Sequence, residues 1–140
     1  MKILVVSQYF YPENFRINDL CIGLKEQGHK ISVLTAKPNY PSGNFFEGYS
    51  FSNKSIDYYN GIKIYRSPII PRGNGSGIRL FINYISFVIF GAIRLLFLNE
   101  KFDKVFVYAP SPITVGYIGA IAKFKFQADS YLWVHDLWPE

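Results

Sequence analysis

Apolar runs and stretches of apolar helical periodicity alternate along the chain. Residues 3–6 form a continuous apolar run, which is typical of a strand covered on both faces by helices. Apolar positions then recur at helical spacing as far as Leu24, and Gly28 ends this predicted helix. A second apolar run over residues 31–36 predicts another buried strand. Residues 1–36 are therefore predicted to form a βαβ unit with parallel strands.

The rest of the chain continues this succession. Alternating apolar and polar positions on either side of Asn60 and Gly61 predict a hairpin with a type I′ turn, and one arm is expected to be the third parallel strand. The other predicted elements are a loop over 37–51, a glycine-containing connector over 71–77, a helix over 78–98, a strand over 105–108, a helix over 113–124 and a strand over 131–134. The order predicts an α/β fold with a doubly wound, mostly parallel, Rossmann-like sheet.

Composition narrows the class of protein. The 140 residues are 49% hydrophobic and 18% charged, which indicates one domain with a buried core and excludes disorder, collagen and coiled coil. The net charge of +5 is spread evenly along the chain, so a nucleic-acid partner is not expected. Cys21 is the one cysteine; it excludes an internal disulfide framework and is expected to be a core thiol in a reducing compartment.

The segment 78–98 leaves three interpretations open. It could span a membrane, cross over the sheet as a buried helix, or pack on the sheet by one face while another face touches a lipid surface. Polar side chains, among them Asn83, interrupt it and weigh against a span. The aromatic loop 40–49 is a second candidate for lipid contact. Replacement of Phe87 and Phe90 by Ser is expected to distinguish insertion of the helix into lipid from its packing on the sheet.

Candidate chemistry follows the strands, because ligands of doubly wound sheets bind beyond the carboxyl ends of the strands. Tyr9 and Tyr11, in the loop after the first strand, are expected to be exposed. Three polar clusters are the candidate site residues: Glu13, Asn14 and Arg16 after the first strand, Lys37, Asn39 and Tyr40 after the second, and His135 and Asp136 after the fifth.

Two of these clusters also have a simpler interpretation. Glu13 and Asn14 could merely cap the first helix and favour its dipole. His135 and Asp136 have the chemistry for proton transfer or for binding a sugar hydroxyl, but they could also form a structural turn.

Several common motifs are missing from the sequence. The glycines of the connector do not fit G-x-G-x-x-G and lack the Lys-Ser/Thr of a P-loop, so they are predicted to form a loop. The sequence has no D-x-D pair and no His/Cys cluster with metal-ligand spacing, so neither a metal nor another cofactor is expected. The lack of G-x-S-x-G argues against a serine hydrolase.

Four segments resemble a known family. Residues 1–6, 9–17, 28–35 with 37–41, and 134–140 are similar to the N-terminal domain of the GT-B, family 4, retaining glycosyltransferases, above all the bacterial O-antigen and capsule subgroup. The resemblance covers the whole chain. It implies that residues 1–140 are the acceptor-side, Rossmann-like, N-terminal half of a GT-B fold. The C-terminal nucleotide-sugar domain would be supplied by the same gene or by a separate chain, and the 140-residue chain alone would be inactive.

The resemblance also implies an activity. A sugar would pass, with retention, from a nucleotide sugar, expected to be UDP-linked, to a lipid-linked saccharide acceptor. His135 would be the catalytic residue near the donor sugar, and Glu13, Asn14 and Arg16 would face the donor diphosphate and the acceptor. Many relatives have a Gly-Gly pair in this loop, where this chain has Asn14 and Phe15. The enzyme would be cytoplasmic and peripheral at the inner face of the cell membrane.

Two other functions remain as alternatives. One is a non-catalytic, flavodoxin-like module that binds a nucleotide or a phosphorylated ligand. The other is a purely structural partner subunit at a membrane.

Overall fold

The computed structural model describes residues 1–109 and 113–134, in which strands and helices alternate as predicted. The strands are β1 (Lys2–Ser7), β2 (Lys30–Ala36), β3 (Ile56–Tyr59), β4 (Ile62–Ser67), β5 (Lys104–Ala109) and β6 (Asp129–Val134). The helices are α1 (Arg16–Glu26), α2 (Gly77–Leu96) and α3 (Gly116–Phe126), and a short 3₁₀ turn over Ile113–Val115 precedes α3.

The sheet has the strand order β3-β4-β2-β1-β5-β6. Strands β4, β2, β1, β5 and β6 are parallel, and only β3, at one edge of the described sheet, is antiparallel. The predicted α/β class and the mostly parallel, Rossmann-like sheet are therefore confirmed. The order of the parallel strands reverses between β1 and β5, which is where ligands bind in such sheets.

Alternate residues of β1 face two cores, because successive side chains of a strand point to opposite faces. Val5 packs with Cys21 of α1 on one face, and Leu4 packs with Phe87 of α2 and Ile118 of α3 on the other. Cys21 is fully buried, and burial raises the pKa of its thiol to about 12. The predicted core thiol is confirmed.

The predicted hairpin is also confirmed. Asn60 and Gly61 have φ values of 50° and 78°, and a type I′ turn requires positive φ at both of its central positions. Its second arm, β4, is the predicted third parallel strand and pairs with β2.

Helix α2 crosses over the sheet between β4 and β5. Its inner stripe has residues four apart, Asn83, Phe87, Gly91 and Leu95, all of which are buried. Phe87 therefore packs in the core, and the expectation that it would report on membrane insertion is wrong. Among the described residues, α2 is the one helix whose length and apolar composition would allow it to cross a membrane, a property that core helices also have.

Candidate functional site

One buried carboxylate joins two loops at the carboxyl edge of the sheet. Glu13, in the loop after β1, accepts hydrogen bonds at Oε2 from the backbone amides of Asn39 (3.0 Å) and Tyr40 (2.9 Å). Its Oε1 accepts a longer bond of 3.3 Å from the amide of Phe10. The side-chain amide of Asn18, in α1, donates to the carbonyl of Glu13 at 2.8 Å. Glu13 thus fixes the loop that follows β2 against the loop that precedes α1.

The environment of Glu13 makes its carboxyl group titrate near neutrality. Burial raises its pKa to about 7, although the three backbone amides and the charge of Arg66 act in the opposite direction. Helix capping does not account for Glu13, because the N-cap residue of α1 is Phe15, whose side chain makes no capping hydrogen bond. The carboxyl group can therefore hold or release a proton close to pH 7.

Hydrogen-bonded side-chain amides connect the two loops that Glu13 holds together to helix α2. Gln8 donates from Nε2 to Oδ1 of Asn83 at 2.8 Å. Asn83 in turn donates from Nδ2 to the carbonyl of Ile70 (2.7 Å) and to Oδ1 of Asn39 (3.4 Å). The same Oδ1 of Asn39 accepts from the backbone amide of Arg72 at 3.1 Å. The loops after β1, β2 and β4 are thereby tied to one buried asparagine of the crossover helix.

Three aromatic rings and an arginine form a cluster at the same edge of the sheet. We call this cluster the crown; its members are Tyr9, Phe15, Tyr40 and Arg72. Tyr9 stacks on Phe15 at 4.5 Å, and Tyr40 contacts both rings at 5.7 and 5.2 Å. The guanidinium of Arg72 lies 4.8 Å from the centroid of Tyr40 and donates to the hydroxyl of Tyr9 at 2.9 Å. The crown combines an aromatic surface with a fixed cation.

The members of the crown differ in exposure. Tyr9 is only 3% exposed, so the expectation that it would be exposed is wrong: Phe15 covers its ring and Arg72 holds its hydroxyl. Tyr11 is exposed, as expected. Tyr40 is 36% exposed, and Arg72 and Phe15 are half-buried, so these three side chains form the accessible part of the crown.

The ammonium of Lys37 binds the neighbouring loop. Its Nζ donates to the carbonyls of Ser50 (2.9 Å) and Phe51 (3.1 Å). Burial, together with the positive charges of Arg66 and Arg94, lowers the pKa of Lys37 to about 8. Lys37 is thus only two positions from Asn39 in the chain, but its ammonium group binds the segment that leads to β3.

Arg66 is a second internal cation, and it is completely buried. Its Nη1 donates to the carbonyl of Ala36 at 3.1 Å, and its Nε lies 3.2 Å from Oδ2 of Asp57. A further bond runs from Nη2 to the carbonyl of Tyr11. Arg66 therefore connects β4, the end of β2 and the loop after β1.

The remaining predicted residues are not members of the crown or lie outside the described ranges. Asn14 and Arg16 are exposed at the start of α1. Burial raises the pKa of Tyr108, at the end of β5, and the positive charge of Arg16 opposes this effect. His135 and Asp136 follow the end of β6 and lie outside the described residues, so their roles stay predictions.

The sequence pattern does indicate two buried polar residues that are absent from the predicted site residues. Arg66 is in phase with the buried Ile62 and Ile64 of its strand, and a charge at such a position indicates a buried network. Asn83 is likewise in phase with Phe87 on the inner stripe of α2. Arg72, in contrast, lies in a connector without periodicity, and no pattern singles it out.

Two further features bear on ligands. In the ranges that the structure describes, no three His, Cys, Asp or Glu side chains are grouped so that they could hold a metal ion. A surface cavity of about 420 Å³ opens at the amino edge of the sheet, lined by Lys25, Lys30, Lys63 and Glu100 among others. Because ligands of doubly wound sheets bind at the carboxyl edge, the crown and not this cavity is the candidate site.

No family model and no curated protein matches this chain. Among the solved structures, it is similar to the C-terminal domain of a hydrogenase from Pyrococcus furiosus, with a TM-score of 0.54 and 14% sequence identity. The alignment covers 94% of this chain and 89% of that domain. A likeness at this level of identity shows the fold alone.

Proposed function

We propose that this chain is the acceptor-side, N-terminal half of a retaining family 4 glycosyltransferase with a GT-B fold. It would take part in the transfer of a sugar from a nucleotide sugar to a lipid-linked saccharide in surface polysaccharide synthesis. The proposal rests on the sequence resemblance. The observation that carries it further is the crown, in which the accessible Tyr40 ring lies under the guanidinium of Arg72 at the carboxyl edge.

The crown suits a phosphorylated saccharide. An aromatic ring offers an apolar face against which the C–H groups of a pyranose can pack. A guanidinium binds phosphate oxygens through two parallel hydrogen bonds. Arg72 is already held by the hydroxyl of Tyr9, so little side-chain entropy is lost when it binds a ligand. Tyr40 and Arg72 together can therefore accept a sugar and a neighbouring phosphate.

The other predicted residues have distinct roles in this proposal. Glu13 and Asn39 position the crown, since Glu13 holds the amide of Tyr40 and Asn39 accepts from the amide of Arg72. Arg16, at the start of α1, would meet the donor diphosphate together with Asn14. His135 would act at the donor sugar, and Asp136 would bind a substrate hydroxyl. Basic residues of the C-terminal half would stabilise charge on the departing diphosphate.

Transfer assays test the crown. The chain, combined with its C-terminal half, would be given UDP-sugars and a lipid-linked saccharide. We expect Tyr40→Ala and Arg72→Ala to lower turnover by about tenfold or more, because each removes a surface that orients the acceptor. Tyr40→Phe should retain activity since it keeps the ring, whereas Arg72→Lys should not, because it loses the planar fork. His135→Ala should also lose about tenfold or more.

A matched control lies at the far edge of the sheet. Tyr58 of β3 is 61% exposed, so Tyr58→Ala should leave turnover unchanged. Thermal midpoints of all variants would separate loss of activity from loss of fold. Full turnover by folded Tyr40→Ala and Arg72→Ala variants would contradict the proposal.

One observation favours a second candidate, the phospho-ligand module. The first turn of α1 has no side-chain cap, and the exposed Arg16 lies there. Free amides at a helix N-terminus bind phosphate groups. Calorimetry of this chain alone with UDP distinguishes the two. Weak or absent binding agrees with the glycosyltransferase half, and a micromolar Kd would favour the module.

A further inference from the structure

The outward side of α2 is apolar along its whole length. Apart from Gly77, the exposed positions of the helix are Ile78, Phe81, Ile82, Ile89, Ile93 and Leu96. Phe81 is 65% exposed, and Phe97, directly after the helix, is exposed as well. An isolated apolar residue on a surface is ordinary, whereas a continuous apolar patch marks an interaction site.

Helix α3 widens this patch. It packs beside α2 so closely that a Cβ at Gly91 would lie 2.7 Å from Cδ1 of Ile118. Its own outward side exposes Tyr117 and Phe124, and Phe124 is 84% exposed. We call the exposed side chains of α2 and α3 the two-helix face.

The charges of the two helices have one sign. Neither helix contains Asp or Glu, whereas α2 carries Arg79 and Arg94 and α3 carries Lys123 and Lys125. Arg79, Arg94 and Lys125 donate to the backbone carbonyls of Pro71, Ser55 and Leu96, so these bonds bring no carboxylate to neutralise them. The two-helix face is thus apolar, and the charges that its own helices contribute are all positive.

We propose that the two-helix face docks on an anionic lipid membrane, with α2 lying in the plane of the interface. Apolar side chains would enter the boundary between headgroups and acyl chains, and the basic side chains would meet anionic headgroups. A second copy of the chain fits this face less well, because it would bring the arginines and lysines of two such faces together, and neither helix carries an acidic residue to pair with them. The inference deepens the proposed function and rests on it for the reason why a lipid surface is relevant.

The hydrogen bonds of α2 with the loops after β1 and β4 favour docking over spanning. Asn83 is bonded to Gln8 and to the carbonyl of Ile70, and Oγ of Ser86 accepts from the amide of Ile70. A helix that left the sheet to cross a bilayer would lose these bonds. Asn83 also lies near the start of α2, roughly 9 Å along its axis. Docking therefore brings the crown close to the headgroups, where a lipid-linked acceptor would present its saccharide.

Vesicle flotation tests the docking surface with the intact chain. The probes are phosphatidylcholine vesicles with and without about 30% phosphatidylglycerol, at about 0.05 M and about 0.5 M salt. We expect binding to the anionic vesicles that weakens at high salt without vanishing. The double variant Phe81→Ser/Phe124→Ser should lower the bound fraction about threefold or more, because its insertion is reduced. Lys123→Glu should lower binding to the anionic vesicles only.

The matched control is Ile56→Ser/Tyr58→Ser, which removes two exposed apolar side chains from β3. It should bind as the unmodified chain does. The proposal is overturned if the folded chain ignores anionic vesicles at low salt, or if the Phe81/Phe124 variant binds undiminished. Self-association in size-exclusion chromatography that this variant abolishes, without vesicle binding, would assign the face to a second copy. None of these outcomes depends on glycosyl transfer, so failure of the crown variants in the transfer assay is a separate result.

Discussion

The helices on the two faces of the sheet bury similar stripes but expose opposite chemistry. The exposed positions of α1 are all charged: Arg16, Asp19, Lys25 and Glu26. Those of α2 are all apolar apart from Gly77. An amphipathic helix with a polar outer face is the usual solution for a surface helix, and α1 follows it. Because the fold needs only the inner stripe, the outer face of α2 is best explained by an interaction.

The inner stripes share one feature that concerns the site. Each helix buries an asparagine early in its course: Asn18 of α1 donates to the carbonyl of Glu13, and Asn83 of α2 donates to the carbonyl of Ile70. Each thus ties its helix to a loop at the carboxyl edge. The geometry of the crown therefore depends on both faces of the sheet, although only one face carries the apolar surface.

The largest expected effect separates the inner from the outer side of α2. Phe87→Ala should lower the free energy of unfolding by about 3–5 kcal/mol, because it opens a cavity under a fully buried ring. Phe81→Ala should change it by no more than about 0.5 kcal/mol, since Phe81 faces outward. Urea unfolding of the two variants measures the difference. Equal losses would contradict the assignment of inner and outer faces.

The sequence was sufficient to predict the fold class, because the class depends on local patterns. The buried strands appeared as apolar runs, and the turn at Asn60 and Gly61 identified the hairpin from two residues. Cys21 was placed in the core by its helical spacing. Each of these patterns can be recognised from residues that are close together in the sequence.

The site was predicted only in part, because its contacts join residues far apart in the chain. Glu13, Asn39 and Tyr40 were selected from their positions after strands, and the structure brings them together. Arg72 reaches Tyr9 over 63 positions, and no local pattern predicts such a pair. The error about the exposure of Tyr9 has the same origin, since Arg72 holds the Tyr9 hydroxyl.

The next effect, on the α1 side, is a pH dependence. The pKa of Glu13 is raised to about 7 in the folded protein from an ordinary 4.5, so the folded state retains the proton up to a higher pH than the unfolded state does. Because of Glu13, the unfolding free energy of the unmodified chain should therefore fall by an amount on the order of 3 kcal/mol as the pH rises from about 4.5 to about 7. Glu13→Gln should remove it.

The measurement is the difference between the two proteins in denaturant unfolding across this pH range. Other titrating groups, such as Asp57 and Glu100, are present in both proteins and cancel in the difference. The stability of Glu13→Gln relative to the unmodified chain should rise with pH and level off above pH 7. A difference that stays constant with pH would contradict a raised pKa for Glu13.

The smallest effect concerns how the two helices begin. Helix α2 has Ser76 as its N-cap, and its Oγ accepts from the amide of Arg79 at 3.3 Å, whereas α1 begins after Phe15 without a side-chain cap. Ser76→Ala should cost about 1 kcal/mol of unfolding free energy, because one helix amide loses its acceptor. Ser76→Asp serves as the matched variant: it restores an acceptor and adds a negative charge at the positive end of the helix dipole, so it should match or exceed the unmodified chain. Thermal or urea unfolding measures both variants. Equal losses in Ser76→Ala and Ser76→Asp would show that Ser76 does not cap the helix, and the two helices would then begin alike.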